Sequence, residues 1–200
     1  LQSRPHTSNS TPTAPPMATP SNSLAYWLQR LQALPDVRLP CDFPRNHHAP
    51  VEADVVLSLA EPTCNALLRI SLDTAVKPFH IVLTALAILL RKFTGDDDIV
   101  LGSSHDTNPL VLRLDLAPDN APLTVAQLLT RIKDADDTAR AHPIPFDELV
   151  DALRHRDDSL DSLFSIRFFN ACEVSEQTEA AARAEWTIYI EHEPDTRRLL

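Results

Sequence analysis

Histidines, cysteines, clustered carboxylates and hydroxyls are the side chains through which this chain could do chemistry. His47-His48 is its only histidine pair, on a proline-flanked loop with Asp42 and Glu52 nearby. Those types suit metal binding or general-base catalysis. Adjacent side chains on an extended segment point opposite ways, which favours a solvated loop. Asp96-Asp97-Asp98 has the charge of a divalent-cation site but not the alternating ligands and closing glutamate of an EF-hand, so a charged turn after a helix is expected. Ser103, His105 and Asp106 supply the residue types of a catalytic triad, yet four consecutive loop positions do not give relay geometry. Cys41, Cys64 and Cys172 are odd in number and widely spaced, with no C-x-x-C pair, which removes zinc and thioredoxin-like readings. Arg113 and Arg167 each interrupt an apolar strand, where a buried ion pair and a groove-facing charge are both open readings. No residue is assigned as catalytic, cofactor-binding or metal-ligating.

Composition narrows the field further. There are two glycines, Gly95 and Gly102, in 200 residues, where average usage gives about fourteen. Phosphate-cradling loops need several, so neither a P-loop nor a dinucleotide-binding fingerprint fits. Gly102-Ser103-Ser104-His105-Asp106 lacks the second glycine of a nucleophile elbow. The formal net charge of −10, with no basic run, disfavours nucleic acid and anionic membranes as partners. The longest apolar run, Phe79 to Leu90, is too short to span a bilayer. The polar, proline-rich start has no secretory pattern, and the thiols suit a reducing compartment, so a cytoplasmic location is expected.

The elements that must position these residues follow from periodicity. Residues 1–22, rich in Ser, Thr and Pro, are expected to be disordered, with order beginning at Ser23 as an N-cap. A helix over Ser23–Leu34 puts Leu24, Trp27, Leu28, Leu31 and Leu34 on one face. Val51, Ala53, Val55, Leu57 and Leu59 alternate with polar residues and predict a half-buried strand. Helices are expected over Glu61–Asp73 and Phe79–Phe93, the second apolar all round and therefore central and buried. Gly95 follows it as a left-handed cap. Strands are expected at Asp98–Leu101 and Leu110–Leu116. Thr124 and Gln127 form a capping box for a helix to Ala141 that buries Val125, Leu128, Leu129, Ile132, Ala135 and Ala139. A short helix over Phe146–Leu153 and strands at Leu163–Asn170 and Glu185–Glu193 complete the pattern. A turn at Pro194-Asp195-Thr196 starts a hairpin that is barely begun at Leu200, which reads as a truncation point.

Several of these segments resemble the C-terminal lobe of nonribosomal peptide synthetase condensation domains. Leu24-Ala25-Tyr26-Trp27 and Leu39-Pro40-Cys41-Asp42-Phe43-Pro44-Arg45 resemble the family's Y-W helix and L-P-T-D-x-P-R stretch. The segment from Phe93 to Gly102 resembles its helix-to-strand junction. Ile144 to Val150 resembles its V-P-F-E-x-L-V motif, and Arg156-Asp157-Asp158-Ser159 with Leu163-Phe164 its R-D-x-S-x-x-P-L-F motif. The family's H-H-x-x-x-D-G motif is missing, because His47-His48 lies after the Y-W helix and lacks the Asp and Gly. Leu160 and Ser162 replace the usual Arg and Pro.

A shortened lobe with Gly95-Asp96-Asp97-Asp98-Ile99-Val100-Leu101 and Asn108-Pro109-Leu110-Val111-Leu112-Arg113 is most similar to the N-terminal region of the fungal aminoadipate-reductase branch. The resemblance implies an α/β, chloramphenicol-acetyltransferase-like single lobe over residues 23–200, with a mixed sheet and packed helices. It implies a multidomain parent of lysine biosynthesis that uses ATP/Mg, phosphopantetheine and NADPH, none of them held by this chain. The implied role is non-catalytic docking against the parent's adenylation domain. A fragment of an active condensation domain and a free-standing interaction protein are the alternatives.

Overall fold

The computed structural model describes residues 20–35, 39, 53–105, 108–118, 122–157, 162–174, 184–193 and 198–199. The stretch 1–19 and the proline-rich loop with Cys41 and His47-His48 lie outside them.

The first helix, α1 (Pro20–Arg30), begins three residues before the expected cap. Ser23 is therefore a buried residue inside the helix rather than its N-cap. Trp27 and Leu31 anchor the helix in the core, with Leu24, Leu28 and Leu34 packed around them. Trp27 Nε1 donates to the carbonyl of His142 at 2.8 Å. Tyr26 stacks on the His142 ring, centroids 3.9 Å apart.

Residues 53–60 are exposed and form no strand, with Val55, Val56 and Leu57 largely in solvent. Alternation makes a strand only where a neighbour supplies ladder hydrogen bonds and a covered face, and no described strand pairs with this segment. Helices α2 (Glu61–Thr74) and α3 (Pro78–Thr94) follow, each with a proline in its first turn, where a missing N–H costs nothing. Gly95 ends α3 at φ 81°, and its N–H caps the Arg91 carbonyl as expected. α3 is not buried all round, since Leu89 is 48% and Phe93 64% exposed.

A four-stranded mixed sheet has the order β2-β1-β3-β4, from β1 (Asp98–His105), β2 (Asn108–Asp115), β3 (Ile166–Asn170) and β4 (Trp186–Ile190). β1 pairs antiparallel with β2, from Asp98 opposite Asp115 to His105 opposite Asn108. β3 runs parallel to both β1 and β4. Leu110, Leu112, Leu114 and Leu116 are all buried on one face, as the alternation requires, but Val111 is buried on the other. Phe168 and Phe169, successive residues of β3, are also both buried. Both faces of the sheet centre are thus covered. A Cβ on Gly102 would meet the Phe164 ring at 2.5 Å, so only glycine lets that ring lie flat on β1.

α4 (Val125–Ala141) starts with the expected capping box, Thr124 and Gln127 exchanging side-chain and backbone hydrogen bonds. Leu128, Leu129, Ile132 and Ala139 are buried; Val125, in the first turn, extends past the core and is exposed. α5 (Phe146–Arg154) buries Phe146, Leu149 and Leu153. A 3-10 turn, Ala171–Glu173, follows β3. β5 (His192–Glu193) and β6 (Arg198–Leu199) form an antiparallel hairpin.

Candidate functional site

The buried charge of the lobe gathers where α3, α4 and the end of β3 meet. His80 lies in the first turn of α3 and Asp136 on the buried stripe of α4; the two residues are each 1% exposed. His80 Nε2 and Asp136 Oδ2 are 2.9 Å apart. Arg140, one turn further along α4, donates through Nε to both Asp136 oxygens at 3.0 and 2.9 Å. Its Nη2 reaches Glu173 Oε2 at 3.1 Å. Asn170 Nδ2 donates to the other Glu173 oxygen at 3.2 Å. The path His80–Asp136–Arg140–Glu173–Asn170 therefore ties α3 and α4 to the 3-10 turn after β3.

Burial pushes the Asp136 carboxyl up, but the His80 hydrogen bond and the Arg140 charge outweigh it, leaving the group below the ordinary carboxylate range. A histidine oriented by a carboxylate is half of a proton relay. Here the carboxylate is already neutralised by a guanidinium, and the pair is sealed from solvent. Thr84, one turn beyond His80, donates its hydroxyl to the His80 carbonyl at 2.7 Å. His80 Nδ1 and the hydroxyls of Ser103 and Ser104 are buried without hydrogen-bond partners. The arrangement can hold three elements in register.

Of the residues singled out from sequence, the structure brings together Asp98 and Arg113 but assembles no catalytic or metal-binding group from the others it describes. Asp97 pairs with Arg91. Asp98 takes Arg113 through Nε and Nη2, the shortest contact being 2.6 Å. The backbone N–H of Asp96 donates to Thr94 Oγ1. Arg113 also donates to the carbonyls of Arg30, Gln32 and Ala33, which makes it the clamp for the end of α1 and settles its role as an ion pair. Arg167 donates to Thr187 Oγ1 and lies over the Phe169 ring, 5.4 Å from its centroid. Ser103 is buried in β1; Asp106 and the His105 side chain lie outside the described residues. Cys64 is buried, its Sγ donating to the Leu59 carbonyl at 3.6 Å, and Cys172 is exposed; the two are not joined to each other by a disulfide. Among the described residues no cluster of His, Cys, Asp and Glu could hold a metal ion. Nor is any single helix long and apolar enough to cross a membrane.

Sequence reasoning missed His80, Asp136, Arg140 and Glu173. A signal existed: Asp136 sits four residues after Ile132 and three before Ala139, on a stripe that is otherwise apolar. A carboxylate in that position needs a buried partner.

No family model matches the chain. It is 31% identical over 170 residues, 80% of its length, to L-2-aminoadipate reductase from Schizosaccharomyces pombe. It is 34% identical over 171 residues, 76% of its length, to CymA of Salinispora arenicola, described as a probable non-canonical nonribosomal peptide synthetase. Of solved structures, the starter condensation domain of rhizomide synthetase matches 90% of this chain at TM-score 0.62 and 19% identity. The chain is a condensation-like lobe of the nonribosomal peptide synthetase type. A second structure, the four-domain synthetase holo-AB3403, matches 88% of the lobe at TM-score 0.70 and 19% identity. The lobe spans 12% of the reductase and 2% of CymA, and 45% and 17% of the two structures. The condensation-like lobe thus has the α/β mixed sheet with packed helices that its motifs imply.

Proposed function

We propose that this lobe is a non-catalytic part of a multidomain L-2-aminoadipate reductase, where it docks against the adenylation domain and helps to organise the chain. The observation that carries the non-catalytic reading is the buried histidine His80, whose carboxylate partner Asp136 is bound by both guanidinium-facing oxygens to Arg140. A histidine buried to 1% exposure against this ion pair is not within reach of a substrate. The identity with the fission-yeast reductase, over 80% of the lobe, supports the choice of parent. In this reading the parent works in the cytoplasm, activates aminoadipate with ATP and Mg, carries it on phosphopantetheine and reduces the thioester with NADPH to the semialdehyde. The lobe itself holds none of these cofactors.

Deletion of Ser23 to Leu200 from the parent tests the role. The expected result is a lower melting temperature together with slower aminoadipate-dependent ATP–pyrophosphate exchange. Unchanged stability and exchange would sink the docking reading. The 34% identity to CymA favours a second reading, a fragment of an active condensation domain. That reading requires an H-H-x-x-x-D-G motif encoded upstream of Leu1, which sequencing of the gene reveals directly.

A further inference from the structure

We draw no further inference here: the strongest candidate, the apolar surface patch that Ala85, Leu89 and Phe93 leave exposed on the outer side of α3, carries nothing, because nothing in the structure shows what covers it.

Discussion

Asp136→Ala is expected to cost about 3–5 kcal/mol of folding stability, the range for removing one member of a buried charge pair. The substitution leaves the Arg140 guanidinium without the carboxylate that takes its Nε, and leaves His80 with both ring nitrogens unpaired in the core. Urea unfolding at neutral pH reads the loss. A triple replacement, His80→Leu with Asp136→Leu and Arg140→Met, is expected to recover much of it, because an apolar set of similar volume carries no desolvation cost. The same carboxyl makes the effect depend on pH. Burial raises its pKa, but His80 and Arg140 lower it more, so the folded value lies below the unfolded one of about 4. The stabilisation is then complete above the unfolded value and is lost as pH falls through the lower, folded one. The gap between wild type and Asp136→Ala should therefore narrow in acid. A constant gap from neutral pH down to acid unfolding would show that Asp136 is not the ionised centre of the network.

Phe168→Ala is expected to destabilise the lobe by about 3–5 kcal/mol, the range for emptying an aromatic site in a packed core. Phe168 is 1% exposed, in the middle of β3, with its ring 5.2 Å from that of Phe79 on α3. β3 bridges β1 and β4, so the hole opens at the join of the two parallel ladders. Thermal or urea unfolding measures the loss, and Phe168→Leu should lose less because more of the volume is kept. A loss below about 1 kcal/mol, the level of a solvent-facing substitution, would mean that α3 does not pack on the sheet through this ring.

Local signals in the sequence carried the elements whose stability is local. The Thr124–Gln127 box and the Gly95 cap are each decided within one helical turn, and both are found where their residue types place them. The Leu110–Leu116 alternation needed only the pleat and one covered face. The family resemblance, drawn from motifs spread between Leu24 and Phe164, supplied the lobe and its mixed sheet. Local pattern failed where the outcome depends on what lies across the core. Residues 53–59 have the alternation of a strand but no partner strand among the described residues. α3 is apolar all round, yet neighbours cover only part of its circumference, so its composition overstated its burial. Asp136 shows the converse: its helical position put a charge inside, and only the fold shows that His80, fifty-six residues earlier, arrives to meet it.

In the function proposed above, the lobe is one part of a long multidomain chain. An antibody raised against the Phe146–Leu153 region, used to blot a lysate of the source cells, measures that directly. The expected result is a band several times larger than the 22.2 kDa of this sequence. A single band at 22.2 kDa would contradict it and make the lobe a free-standing interaction protein.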